Sequence, residues 1–342
     1  MRRITLLTNP DKCNLHCPLC FLNQRALLNC NARSAGNSNG ERLSDCNKER
    51  CAFGVGEMPF EVAQAAIEKY AAERDASGKR LLREVIPSTM GEPLLYSHFD
   101  ELLELCRTFE IPLNLTTNGT FPGKWGSGAG IATLLHACSD IKVSYLASEQ
   151  FDGWKANVEK MVRERDRLRK NAEADSAGDN AYCAKVDSAG AADVESAGIV
   201  KLGAEESRVA TVSLQVTLHR KNLKNVPELV KWASAIGVDR IKWNKVVVLG
   251  TAPQELREKY EIDDLQLELL RKDLRTVALT TPNVKHEGSL FFNNGTDLCP
   301  VGGKCESCPF ADEVWVWPDG HEDHCPNPER RWGKTMTLRT VL

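Results

Sequence analysis

Apolar and polar positions along the chain follow two periods in turn, and the two periods predict alternating strands and helices. Short apolar or β-branched runs predict six strands, at residues 4–9, 81–88, 112–118, 141–147, 209–219 and 240–249. Apolar positions at helical spacing predict the helices between and after them, at residues 58–74, 99–109, 130–138, 152–172, 227–236, 254–260 and 264–279. This alternation predicts an α/β fold with a parallel sheet and right-handed crossovers.

Two stretches interrupt this pattern. Residues 22–56 are rich in Asn, Ser, Gly and Arg and show no period, so we expect an irregular excursion. Residues 173–206 repeat a Ser-Ala-Gly unit and contain few large apolar residues, which predicts an inserted surface linker to which no function is assigned. Near the end of the chain, residues 313–317 predict a strand and Asp319-Gly320 a tight turn, which together indicate a β-hairpin.

Composition and charge narrow the classes of function. The chain has 342 residues, a hydrophobic share of 42% and a formal net charge of −3, so no global field attracts nucleic acid or an anionic membrane. The first residues lack a long apolar core, and no apolar run approaches the length of a membrane span, which predicts a cytoplasmic protein. The thirteen cysteines therefore favour metal binding over a disulfide framework.

Three of these cysteines, Cys13, Cys17 and Cys20, form a C-x3-C-x2-C motif directly after the first predicted strand. Thiolates select zinc, copper(I) or iron–sulfur clusters. Three protein ligands leave one metal position open for a substrate or cofactor, which a closed structural site cannot offer. The alternative is a zinc loop or a set of buried thiols, although zinc sites usually contain two CxxC pairs.

Two further motifs follow the next strands: Gly91-Glu92-Pro93 after the second and Thr117-Asn118-Gly119-Thr120 after the third. With the cysteine motif, they resemble the radical S-adenosylmethionine (SAM) superfamily, in which a second glycine stands at the position of Met90. The resemblance implies a partial (β/α)6 TIM-like barrel over residues 1–250. It also implies a [4Fe–4S] cluster held by the three cysteines, with SAM chelating the fourth iron and being cleaved reductively to a 5′-deoxyadenosyl radical.

The resemblance implies a SAM-binding set at the carboxyl ends of the strands: Gly91, Glu92, Pro93, Asn118, Ser144 and Arg220. In the family, Glu92 and its neighbours hold the amino group of SAM. Ser144 is the candidate for the ribose or carboxylate, and a plain strand serine is the alternative. Arg220 suits the carboxylate, with an exposed loop arginine as the alternative. No general base can be chosen among the polar candidates near the barrel mouth, Tyr145, Asn244 and Lys245.

Four more cysteines lie in the tail: Cys299, Cys305, Cys308 and Cys325. Their spacing fits a closed four-iron cluster and a structural zinc site about equally. The tail, residues 291–342, resembles a shortened SPASM or twitch domain joined to the barrel by a helical connector, residues 251–290. The resemblance implies a small C-terminal cysteine-rich β-hairpin domain with one auxiliary [4Fe–4S] cluster.

The resemblance also implies hydrogen abstraction from a substrate, with a ribosomally made peptide as the first candidate for crosslinking, epimerisation or oxidation. It further implies an electron donor of flavodoxin or ferredoxin type. Because the chain begins close to its first strand, we expect a leader sequence to be held by a separate protein or by the barrel rim. The alternatives are a small-molecule radical SAM enzyme of cofactor or aminoglycoside biosynthesis and a non-catalytic iron–sulfur or zinc protein that binds a partner.

Overall fold

The computed structural model describes residues 2–20, 24, 56–87, 90–146, 151–186, 209–248, 252–288, 290 and 312–323. The strands in this part of the chain are β1 (Arg2–Leu6), β2 (Leu82–Pro87), β3 (Leu113–Thr117), β4 (Cys138–Ser144), β5 (Thr211–Leu218), β6 (Arg240–Lys245), β7 (Lys285–Glu287), β8 (Glu313–Val316) and β9 (Glu322–Asp323). The helices are α1 (Phe60–Ala71), α2 (Phe99–Thr108), α3 (Gly128–Ala137), α4 (Trp154–Val186), α5 (Val226–Ile236), α6 (Gln254–Tyr260) and α7 (Asp264–Thr280). Short 3-10 turns lie at Pro93–Leu95, Gly123–Gly126 and Leu223–Asn225.

These strands form one sheet in the order β7-β6-β5-β4-β3-β2-β1-β8-β9. Neighbouring strands are parallel, except that β8 and β9 are antiparallel. The end strands β7 and β9 do not pair with each other, so the barrel is open. The predicted α/β fold with a partial, TIM-like barrel is confirmed, and the sheet is wider than the six strands predicted.

The convex face of the sheet, covered by the helices, carries the main hydrophobic core. Alternate residues of each strand point to it, including Ile4, Leu115, Ile141, Val212 and Ile241, each of which is 0% exposed. The residues between them point to the concave face. Because side chains alternate along a strand, each strand supplies the core with one half of its residues and the barrel interior with the other half.

Three features differ from the sequence prediction. Helix α4 continues through Val186, into the stretch predicted as a linker, because residues 173–186 are rich in alanine and contain a single glycine. Strand β7 adds to β6 within the predicted helical connector. The tail hairpin, β8 and β9, is confirmed, but β8 pairs in parallel with β1 and so belongs to the main sheet.

Candidate functional site

The cysteine loop follows β1 at the carboxyl edge of the sheet. Cys13, Cys17 and Cys20 form no disulfide within the described residues, and each is partly exposed. The Cys20 amide donates to the Cys17 carbonyl (N to O, 3.0 Å), which closes a turn between two of the sulfurs. Leu19, only 5% exposed, fixes this turn to the protein while the thiols stay accessible. The structure places the three thiols on a loop after the first strand, as predicted.

The Cys13 sulfur is joined to the end of β3. Its Sγ accepts hydrogen bonds from the Leu15 amide (3.5 Å) and from Nδ2 of Asn118 (3.7 Å). Burial raises the pKa of Cys13, and the nearby Glu92 carboxylate adds to this, whereas the two N–H donors lower it. The donors point at the atom that would carry negative charge as a thiolate, so they favour the form that binds metal.

Asn118 is the centre of a hydrogen-bonded unit that joins the loops after β1 and β3. Besides Cys13, its Nδ2 donates to Oδ1 of Asn14 (2.8 Å). Its Oδ1 accepts from the amide and the hydroxyl of Thr120, at 2.9 and 2.7 Å. Asn14 closes the ring by donating to the Thr120 hydroxyl (2.9 Å). Two motifs more than 100 residues apart therefore hold one another in place.

Glu92 is fully buried and connects the loops after β2 and β3. Its carboxylate accepts from the Thr117 hydroxyl (2.8 Å) and from the amides of Asn118 (2.7 Å) and Leu94 (3.3 Å). Burial raises the pKa of Glu92 to about 7, although these donors act in the opposite direction. The structure thus gives the Glu92 side chain a supporting position beneath the cysteine loop, at 0% exposure.

The main chain of the Gly91-Glu92 turn is clamped to the start of the cysteine loop. The Glu92 amide donates to the Lys12 carbonyl (2.9 Å), and the Glu92 carbonyl accepts from Nδ2 of Asn9 (2.6 Å). Gly91 has φ +76°, and a Cβ there would lie 2.2 Å from the Asn9 carbonyl oxygen. Only glycine allows both this backbone conformation and this close approach.

The departure at Met90 has a packing role. Met90 is 5% exposed and belongs to an apolar cluster separate from the main core, made of Leu7, Leu19, Met90, Val246, Val248, Ala252, Tyr260 and Trp315. Leu19 of the cysteine loop is in the same cluster. Met90 is also not among the residues with positive φ, so its backbone does not require glycine. The side chain at this position therefore supports the loop by packing.

The other predicted SAM residues occupy three separate positions. Pro93 is buried and begins the 3-10 turn that Glu92 caps. Ser144 ends β4 on the concave face, and its carbonyl accepts from Nε1 of Trp154 (3.0 Å). Arg220 follows β5, and its guanidinium donates to the Glu258 carbonyl (2.8 Å) at the end of α6. The structure brings Cys13, Glu92 and Asn118 into one unit, whereas Arg220 is engaged with the helical connector.

The three candidates for a general base also differ in position. Tyr145 packs edge-on against Trp154, with ring centroids 5.5 Å apart. Asn244 pairs in register with Thr217 on the concave side of the sheet, and Lys245 pairs with Leu218, whose side chain lies in the main core. Alternation along β6 therefore directs Asn244 into the barrel and Lys245 away from it.

The donor set of the loop fits an iron–sulfur cluster. Three accessible thiols lie within eight residues, and N–H donors point at one sulfur. Within the described ranges, no three His, Cys, Asp or Glu side chains converge on a point that suits a single metal ion. In a four-iron cluster each thiolate binds its own iron atom, so three thiolates would hold three of the four irons. Cys299, Cys305, Cys308 and Cys325 lie outside the described residues.

Several residues of the site were assigned no role from the sequence, although Thr117 lies in one of its motifs. Asn9, Asn14 and Thr117 supply side-chain hydrogen bonds that hold the motifs together. Asn9 and Asn14 flank the first cysteine, and an asparagine beside a metal-binding motif is a usable signal because its side chain bonds readily to nearby main chain. In the part of the chain that the structure describes, no helix is long and apolar enough to cross a membrane.

Comparison with known proteins identifies the fold. No protein-family model matches the chain, and no curated protein matches it either. Among solved structures, SuiB of Streptococcus suis is 14% identical, with a TM-score of 0.55 over 98% of this chain and 62% of its own. SuiB has also been solved bound to the precursor peptide SuiA, where this chain spans 61% of its length, and bound to S-adenosylmethionine.

A second group of solved structures gives the same result. Native anSMEcpe with bound AdoMet is 12% identical, with a TM-score of 0.56 over 94% of this chain and 74% of its own. Native anSMEcpe with bound AdoMet and the Kp18Cys peptide is 15% identical, with a TM-score of 0.54 over 99% of this chain and 80% of its own. At these identities the comparisons establish the fold, which is the open α/β barrel that this chain shares with SuiB and anSMEcpe.

Proposed function

We propose that the protein is a radical SAM enzyme in which Cys13, Cys17 and Cys20 hold a [4Fe–4S] cluster. When bound, the cluster supplies the electron that cleaves SAM reductively. The observation that carries the proposal is the single hydrogen-bonded unit of Cys13, Asn118 and Glu92, in which three separate sequence motifs meet at the carboxyl edge of the sheet. Parallel α/β sheets bind their ligands at that edge.

This chain's residues would have distinct tasks in that reaction. The three cysteines would bind iron, and Leu15 and Asn118 would stabilise the thiolate of Cys13 by donating to its sulfur. The buried Glu92 would position Asn118 from below, while the Gly91-Glu92-Pro93 main chain and Ser144 would contact SAM. Arg220 could bind the carboxylate of SAM only after its guanidinium has broken the hydrogen bond to the Glu258 carbonyl.

We further propose a peptide as the substrate, which would be crosslinked, epimerised or oxidised. Support comes from the neighbours in fold, since SuiB has been solved with its precursor peptide and anSMEcpe with two peptides. An electron donor of flavodoxin or ferredoxin type and a separate leader-binding protein belong to this proposal. So does one auxiliary [4Fe–4S] cluster on Cys299, Cys305, Cys308 and Cys325.

The test compares cysteines of two kinds after anaerobic reconstitution. Cys13→Ala, Cys17→Ala and Cys20→Ala should each abolish formation of 5′-deoxyadenosine and methionine from SAM under dithionite. Cys106→Ala is the matched control, because Cys106 is a buried core residue only 2% exposed, and it should retain both the iron and the activity. Wild-type protein that binds zinc in place of iron, or that leaves SAM intact, would refute the proposal.

Iron and sulfide counts separate the two sites. The wild type should contain about eight iron atoms, which is two four-iron clusters. Cys17→Ala and Cys308→Ala should each lose about half of this iron, and Cys308→Ala alone should still form 5′-deoxyadenosine without added substrate. If the wild type contained only about four iron atoms, the proposal of an auxiliary cluster would be refuted, whereas the proposal of the SAM cluster would stand.

A further inference from the structure

One row of polar side chains crosses the concave face of the sheet on four neighbouring strands. Ser144, Gln215, Lys242 and Glu287 are register partners on β4, β5, β6 and β7. Because these strands are parallel and in register, the four side chains point to the same face from strands about 4.8 Å apart. The row lies nearer the carboxyl edge than the charged pairs described next, two residues beyond Lys142 and four beyond Asp140 on β4.

Below this row, the polar groups of the barrel interior satisfy one another. Arg3 lies 3.1 Å from the carboxylate of Glu313, and Lys142 lies 3.2 Å from that of Asp140. Asp140 also accepts from the hydroxyls of Thr211 (2.7 Å) and Ser213 (2.6 Å). The charged side chains of the lower barrel interior are therefore paired with one another.

Two members of the row, Gln215 and Lys242, differ from these paired groups in their hydrogen bonding. The Oε1 atom of Gln215 is buried and has no hydrogen-bond partner among the described residues. The ammonium of Lys242, on the adjacent strand, forms no hydrogen bond or ion pair within the same part of the chain, and only longer-range charges act on it. Burial, followed by the charge of Lys142, lowers the pKa of Lys242. A buried acceptor and a partly buried donor thus lie on adjacent strands, and neither has a hydrogen-bond partner among the described residues.

We propose that Gln215 and Lys242 bind a carboxamide group of the substrate inside the barrel. The N–H of a carboxamide donates to Gln215 Oε1, and its carbonyl oxygen accepts from Lys242 Nζ. A carboxylate would place an acceptor against the Gln215 oxygen, and an ammonium would face the charge of Lys242. A neutral group with one donor and one acceptor satisfies both side chains. This inference rests on the proposed function, since it concerns the substrate of that enzyme.

A carboxamide can come from an Asn or Gln side chain or from a main-chain peptide group. The probes are therefore three blocked peptides, acetyl-Gly-Xaa-Gly-N-methylamide with Gln, Glu or Ala at the central position. Binding is measured by titration calorimetry to the full-length, cluster-loaded protein with SAM and without reductant, so that no turnover occurs. Formation of 5′-deoxyadenosine is assayed separately in the same preparations.

We expect the Gln peptide to bind at least about tenfold more tightly than the Glu and Ala peptides, because a site built for hydrogen bonds rejects partners that leave them unmade. Gln215→Leu and Lys242→Met should each weaken its binding about tenfold. Lys245→Met, the same change on the opposite face of β6, should leave binding unchanged. Equal binding of all three peptides that is lost in both variants would identify the main-chain peptide group as the source.

The inference is overturned if no peptide binds, or if the wild type and both variants bind the peptides alike. Gln215→Leu tests the same site independently in case Lys242→Met fails to fold. Circular dichroism shows whether each variant is folded. A failure of this inference alone leaves 5′-deoxyadenosine formation intact in the wild type. Loss of that activity in the wild type would instead refute the proposed function.

Discussion

The two faces of the sheet are built from the same strands but by different physical means. On the convex face, residues such as Leu113, Val143 and Leu214 are 0% exposed beneath the helices. On the concave face, the same strands place Lys142 beside Asp140. Parallel strands covered on both faces are usually continuous hydrophobic runs. The polar alternation here, clearest in β5, lines the concave face with polar side chains and the convex face with the apolar side chains of the core.

This difference between apolar packing and charge pairing predicts how each face responds to substitution. Burial of apolar area is non-directional, so the convex face tolerates changes that keep volume and loses stability with each removed methylene. The concave face depends on particular pairs of opposite charge, and removing one partner leaves the other buried and uncompensated. Stability there depends on which partner is removed.

The strongest test breaks one concave pair. Lys142→Met should lower the free energy of unfolding by about 4 kcal/mol, because Asp140 would keep its charge in a site that is 5% exposed. The matched control is Lys69→Met, which breaks an exposed ion pair with Glu322 (2.7 Å) and should cost less than about 1 kcal/mol. Urea unfolding followed by circular dichroism measures both.

Adding Asp140→Asn to Lys142→Met should recover part of the loss, since it removes the unpaired charge. Equal losses for Lys142→Met and Lys69→Met would contradict the contrast between the buried and the exposed pair.

The second test compares neighbours that point to opposite faces of β3. Leu115→Ala should cost about 3 kcal/mol, because it leaves a cavity in the core where Leu115 is 0% exposed. Thr116→Ala, one residue further on, changes a partly exposed concave side chain and should stay within about 0.5 kcal/mol of the wild type. Both values come from the same urea unfolding measurement. A larger loss at Thr116 than at Leu115 would reverse the assignment of the faces.

The same alternation explains how much of the fold the sequence could predict. The strand and helix order followed from local periods, and the parallel sheet followed from that order. The short strand β7, Lys-His-Glu, has no apolar pattern, so only its register with Arg240, Ile241 and Lys242 identifies it. The pairing of β8 with β1 joins Thr5 to Glu313, which are 308 residues apart in the chain. Local patterns carry no information about such a contact.

Prediction of the site had a similar limit. The rule that ligands lie at the carboxyl ends of parallel strands was enough to expect Glu92 and Asn118 near the cysteine loop, and they are there. The rule does not say where a side chain points. Glu92 points into the protein and Arg220 towards the connector, and both directions depend on tertiary partners that no sequence pattern specifies.

The finest test compares two buried carboxylates. Burial tends to raise the pKa of Asp140, but the charge of Lys142 and bonds from Ser213 and Thr211 outweigh it, so that pKa is lowered. Glu92 has donors but no cation among its causes, and its pKa is raised to about 7. The stability that protonated Glu92 contributes is therefore present below pH 4.5 and is lost as pH rises through about 7.

Glu92→Gln removes this titration. The stability of the wild type relative to the variant should fall by about 2 kcal/mol between roughly pH 5 and 7, from the linkage between proton binding and folding. Urea unfolding of both proteins at several pH values gives the difference, and groups that titrate in both cancel. A difference that stays constant across this range would mean that the Thr117, Asn118 and Leu94 donors hold Glu92 ionised without a cation. Hydrogen bonds alone would then keep the Glu92 carboxylate ionised, as the charge of Lys142 helps to keep the Asp140 carboxylate ionised.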